Sequence, residues 1–202
     1  MPVEVVGLKA LQDKLRLFEP DLKREMDREI RAAMLPIRDA ARGFVMNPTP
    51  RGLFNWAVPA QKTGTYRSFP EYNSEEIQRG IVYSAGKNKK NSNGYSAVYY
   101  IANKSAAGAI YETAGRKSGA AGQPWEAGKS GDHDYSHSNN PNAGAHMISR
   151  LGPLYGNGKQ RGRLIFRAWE QDQGKVYAAV LQAIESAASR FNAGRFGMSK
   201  AA

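Results

Sequence analysis

Leu8, Leu11, Leu15, Phe18 and Leu22 recur at intervals of three and four residues, the spacing that lines up side chains on one face of an α-helix. The stripe resumes through Met26, Ile30, Ala33, Met34, Ile37, Ala40, Ala41 and Phe44. Between the two runs stands Glu19-Pro20-Asp21. Proline suits a first helical turn, and acids there complement the positive end of the helix dipole. The pattern predicts a short helix near 7–18 and a long one near 20–44. Pro36 removes one backbone hydrogen bond from the second and is expected to kink it near 32–36. Its opposite face carries Lys23, Arg24, Asp27, Arg28, Arg31, Arg38 and Arg42, to be read as a solvated face or as a surface that meets another subunit.

Beyond Gly43 the pattern breaks. Asn47-Pro48-Thr49-Pro50-Arg51-Gly52 is dense in turn residues, and a small apolar group, Leu53, Phe54, Trp56 and Val58, follows. Ile77–Tyr83 places Ile77, Ile81 and Tyr83 on one face of a strand, and Tyr95–Ile101 is β-branched and aromatic with period two. The connection Ala85–Gly94, with Lys87, Lys89 and Lys90, is expected to be a long basic hairpin loop. Ala107–Thr113 reads as a third, mostly apolar strand with one acid, Glu112, in it. Residues 115–162 are rich in Gly, Ser, Asn and His and read as a long irregular insertion. Val176, Tyr177, Val180, Leu181, Ile184, Ala187, Ala188 and Phe191 then make an amphipathic helix, with 192–202 as a frayed tail. The sum is one α+β domain over 1–202: a small antiparallel sheet with a long N-terminal and a C-terminal helix on one face.

Composition narrows the function classes. The 202 residues contain no cysteine, which removes disulfides, thiolate metal sites and a cysteine nucleophile and suits a reducing compartment. No apolar run approaches the roughly twenty residues of a membrane span, and no export signal is visible, so a soluble cytosolic protein is expected. The net charge is +11, with basic and acidic residues at 11 and 8 in 1–62, 12 and 7 in 63–162, and 6 and 3 in 163–202. So diffuse an excess favours proximity to nucleic acid or an acidic partner without base readout.

Catalytic chemistry is hard to assemble. Asp132, His133, Asp134, His137 and His146 offer metal-ligand types, but their glycine- and serine-rich surroundings supply no rigid shell, and we read a hydrated loop with no metal. Gly115-Arg116-Lys117-Ser118 lacks the spacing of a phosphate loop, and no serine sits in a nucleophile elbow. No enzyme activity and no cofactor are expected.

Four blocks carry a resemblance. Val6-Gly7-Leu8-Lys9-Ala10-Leu11 leads into a long helix ending in Ala40-Ala41-Arg42. Thr63-Gly64-Thr65-Tyr66-Arg67-Ser68 resembles a TG-x-L-x-x-S signature. Ala109-Ile110-Tyr111-Glu112-Thr113-Ala114-Gly115 is similar to a strand end Y-x-x-x-[VI]-E-[FY]-G. Arg163-Leu164-Ile165-Phe166-Arg167-Ala168 resembles a PFLRPA entry into the last helix. In this order they resemble the tail-completion and head–tail joining family of long-tailed phages, of the Hong Kong ninety-seven type, which includes tail terminators. Leucine replaces the usual proline before the final Phe-Arg-Ala run, and 117–160 exceed the family's core.

The resemblance implies a virion protein of the phage neck, assembled in the host bacterial cytoplasm. Its protomers form a ring, typically a hexamer, at the head-proximal end of the tail tube. That ring stops tube growth and docks to the head connector, while genomic DNA passes through its lumen. Glu112, Arg116, Lys117 and Arg167 are then subunit-interface candidates, and Lys87, Lys89 and Lys90 lumen candidates. Glu112 either faces a neighbour, with Arg116 and Lys117 opening a loop that reaches across, or pairs within its own subunit. Two other readings stand beside the terminator: a head-closure (stopper) ring, and a basic module binding nucleic acid without sequence preference.

Overall fold

The structure, a computed structural model, describes residues 7–57, 70–90, 96–116, 143–157 and 160–199. Among them the fold is α+β, with six α-helices and two two-stranded sheets. Helix α1 spans Leu8–Phe18, α2 Pro20–Gly43, α3 Ser74–Gly80, α4 Ala106–Thr113, α5 Ala143–Arg150 and α6 Ile165–Ser199. Strand β1 (Ile81–Lys90) pairs with β2 (Ser96–Asn103), and β3 (Tyr155–Asn157) pairs antiparallel with β4 (Gln160–Gly162). The chain divides into two compact units, one of Met1–Arg38, Tyr83–Ile101 and Gln171–Ala202, the other of Asp39–Val82 and Ala102–Glu170.

The first unit is held by its helices. The sequence stripe is its core: Leu15 and Ile30 are fully buried, Met26 and Ile37 nearly so, and Val176, Val180, Ala183, Ile184, Ala187 and Phe191 of α6 are buried as well. Each such Leu, Ile, Val, Met or Phe side chain contributes about 1.5–3 kcal/mol relative to exposure. One polar group is built into this layer. The Tyr99 hydroxyl on β2 donates to Asp27 of α2 and accepts from the buried Gln12 of α1, so each polar partner entering the interior brings its own hydrogen bond. Arg190 of α6 reaches Glu25 of α2 at 2.6 Å.

The second unit is built around aromatic rings. Trp56 and Tyr72 pack with ring centroids 4.9 Å apart, and Tyr72 meets Tyr111 edge-on at 6.1 Å. Their polar ends find carbonyls, Trp56 Nε1–H donating to Pro70 and the Tyr72 hydroxyl to Met46. Arg42 donates twice to the carbonyl of Ile81, where α3 gives way to β1.

Several expected elements differ. Ile77–Gly80 belongs to α3, and only Ile81 onward is strand. The cause is local: the Asn73 side chain accepts from the Glu76 N–H, and Glu75 and Glu76 sit in the first turn, together a helix start. Ala107–Thr113 is helix α4, started by Ser105, whose hydroxyl accepts from Gly108 N–H at 3.2 Å. Lys87, Lys89 and Lys90 lie on β1 and not in a loop, because pairing with β2 carries the ladder into a stretch with little intrinsic strand preference. The stretch read as irregular contains α5, β3 and β4, and its 117–142 portion is outside the described residues. The last helix starts at Ile165, inside the Arg163–Ala168 block that resembles a helix entry but eleven residues before the first apolar position of its stripe, and it stays helical to Ser199. As expected, Pro36 lies inside helix α2.

Candidate functional site

The one acid of the apolar stretch 107–113 marks a densely hydrogen-bonded spot among the described residues of the second unit. Glu112 is 4% exposed. Its Oε2 accepts the backbone N–H of Arg163, at 3.1 Å, and of Leu164, while Oε1 accepts that of Phe166, at 3.1 Å. These N–H groups open α6, whose first turn contains no acid of its own. A helix start has N–H groups with no intrahelical acceptor and a partial positive charge. Glu112 supplies both the acceptors and the negative charge from 51–54 residues away.

Arg163 completes a reciprocal joint. It is 4% exposed, and its guanidinium donates to the carbonyls of Gly152, at 3.0 Å, Tyr111, at 3.0 Å, and Ala114, at 2.8 Å. Tyr111 and Ala114 sit at the C-terminal end of α4, where carbonyls lack partners. So α4 lends an acid to the start of α6, and the residue just before α6 lends a cation to the end of α4. Burial raises the Glu112 carboxyl above its ordinary value, while the N–H groups of Phe166, Leu164 and Arg163 and the charge of Arg116 pull it back. Burial likewise lowers Arg163, opposed by Tyr111 and Glu112.

Two glycines make the approach possible. A Cβ on Gly162 would stand 2.2 Å from Glu112 Oε1. Gly115 turns the chain out of α4 at φ +80°, a left-handed conformation that favours glycine, and a Cβ there would meet Ile148 Cγ2 at 2.7 Å.

Around this joint lie further arginines. Arg116 Nε donates to the Arg161 carbonyl at 2.7 Å, and Arg161 Nη2 returns a bond to the Arg116 carbonyl at 2.8 Å. The Arg116 guanidinium stands 4.9 Å from the Phe166 ring centre. Arg167 is stacked between two rings, 3.9 Å from Phe44 and 4.6 Å from Tyr155.

The structure therefore brings Glu112, Arg116 and Arg167 together in one neighbourhood. Glu112 ends no strand, and its carboxylate is turned to its own backbone, where three N–H groups at a helix start lack intrahelical acceptors. Lys117 lies outside the described residues. Lys87, Lys89 and Lys90 are on β1, in the first unit. Arg163, which completes the joint, and Arg161 beside it were missed as site residues; the signal was the alternation Arg161-Gly162-Arg163 just before a helix without an acidic first turn. His133 and His137 lie outside the described residues, and His146 is exposed on α5. Among the described residues no group of acids and histidines could hold a metal ion, and no helix is long and apolar enough to cross a membrane. Comparison of the chain with protein-family models, with curated proteins and with solved structures finds no match.

Proposed function

We propose that the chain is a structural protein of a long-tailed phage neck, a ring-forming tail terminator that ends tail-tube growth and joins tail to head connector while DNA passes through. The observation that carries this reading is the joint itself. Two of the four stretches that bear the resemblance, 109–115 and 163–168, meet through Glu112 and the N–H groups of Arg163, Leu164 and Phe166. Short motifs far apart in sequence thereby acquire one physical reason to occur together. The α+β fold and the diffuse excess of +11 agree with a protomer lining a DNA passage without reading sequence.

A ring of identical subunits joined head to tail needs two different complementary faces on each copy. The exposed Arg24, Arg28 and Arg31 of α2 offer one basic face, and the exposed Glu71, Glu75 and Glu76 at the start of α3 offer an acidic one. Electron microscopy of a lysate from a phage with an early stop codon in this gene tests the reading. Filled heads beside unattached tails of abnormal length are the expected result. Emptied heads beside tails of normal length would assign the chain to the stopper, and intact infectious particles would refute a neck role.

A further inference from the structure

Four guanidinium groups, those of Arg116, Arg161, Arg163 and Arg167, gather around the β3–β4 hairpin and the first turn of α6. Four positive charges less the one of Glu112 leave three uncompensated. None of the four arginines has an ion pair among the described residues, and Glu112 spends both oxygens on backbone N–H groups. The hydrogen bonds of Arg163 go to three carbonyls. The others have donors to spare: Arg116 Nη2, Arg161 Nε and Arg167 Nε are shut off from solvent and have no acceptor. Buried donors of a charged group without an acceptor are costly, and such groups are ordinarily matched by an anion.

We propose that Arg116 and Arg161, with Arg167 adding positive field, form a binding site for a phosphate group. The two arginines are already fixed by their exchange of bonds with each other's backbone carbonyl, so little side-chain freedom remains to be lost on binding. Both are forks with spare N–H groups, a geometry that matches the several oxygens of a phosphate. Three net positive charges exceed what one carboxylate answers. All three residues are half-buried, each keeping part of its surface open to solvent although the named atoms are shut off. The phosphate comes either from a nucleic-acid backbone or from free phosphate. The inference does not depend on ring formation.

Isothermal titration of the purified full-length protein, in chloride buffer at matched ionic strength, tests it with inorganic phosphate, then pyrophosphate, then duplex DNA of random sequence. The expected result is binding of phosphate by the wild type that weakens about tenfold or more in Arg116→Gln/Arg161→Gln, with circular dichroism unchanged. Arg161→Lys, which keeps the charge and loses the fork, should weaken it too and serves if the double variant does not fold. Parallel loss of DNA binding makes the phosphodiester the source, and unchanged DNA binding makes it free phosphate. No phosphate binding by the wild type, equal binding by the variants, or equal competition by acetate overturns the proposal. Loss of self-association in Arg161→Lys without any phosphate effect does so as well, and assigns the cluster to a carboxylate of a second copy.

Discussion

Replacing Glu112 by glutamine keeps the size of the side chain and removes one acceptor oxygen and the negative charge. In the wild type three N–H groups share the two oxygens. A glutamine can turn its carbonyl toward Arg163 and Leu164 or toward Phe166. Either way its NH₂ faces at least one N–H, donor against donor, in a place where the residue is 4% exposed. A buried N–H without an acceptor costs about 1–3 kcal/mol, and the lost charge at a helix start about 0.3–1 kcal/mol more. The expected destabilisation is thus about 2–4 kcal/mol, a large share of the roughly 5–15 kcal/mol that holds an ordinary domain. Urea unfolding followed by tryptophan fluorescence, since Trp56, Trp125 and Trp169 all belong to the unit that contains Glu112, should move its midpoint down by about 1 M or more. Aspartate at 112 should do no better, being one methylene too short to span both sets of N–H groups. A midpoint within about 0.3 M of wild type for Glu112→Gln would refute the capping account.

Other substitutions probe the remaining parts. Gly162→Ala puts a Cβ 2.2 Å from Glu112 Oε1 and should cost about 1–3 kcal/mol by overpacking the joint; a melting temperature equal to wild type would show that the joint yields freely. In the first unit, Ile30→Ala empties a fully buried position and should cost about 2–5 kcal/mol. Leu17→Ala, at a side chain 73% exposed, should stay within about 0.5 kcal/mol; equal effects in thermal melts would contradict the assigned helix face. Burial raises the phenols of Tyr72, Tyr83 and Tyr99, that of Tyr83 from 10.0 to about 12. The folded chain then holds protons that the unfolded chain releases, so this stability is fully present below pH ~10 and is lost as pH climbs through about 12. Phenolate absorbance should therefore lag for these tyrosines until the fold gives way; full titration near pH 10 with unchanged circular dichroism would contradict it.

The long helices are legible in the sequence because α1, α2 and the later part of α6 each repeat apolar residues over several turns. Helices α3 and α4 are not, since seven or eight residues hold barely two turns and an apolar run such as Ala107–Thr113 fits a strand as well. Their caps, Asn73 and Ser105, were the readable signal. The start of α6 was marked by the Arg163–Ala168 block and not by apolar periodicity, which polar residues and Gly174, a poor helix former, interrupt. Glu112 stood out as an acid in an apolar stretch, and that oddity did mark the site. The partner side left a faint local signal, Arg161-Gly162-Arg163 before a helix with no acidic first turn, but nothing local ties it to an acid more than fifty residues away. Lys87, Lys89 and Lys90 entered β1 through pairing with β2, a tertiary effect that outweighs residue preference.

Cryo-electron microscopy of the intact particle tests the neck assignment most directly. The account predicts a closed ring of this chain between the head-proximal end of the tail tube and the connector, with DNA or its channel on the axis. A complete neck in which every ring is accounted for by other chains would contradict it.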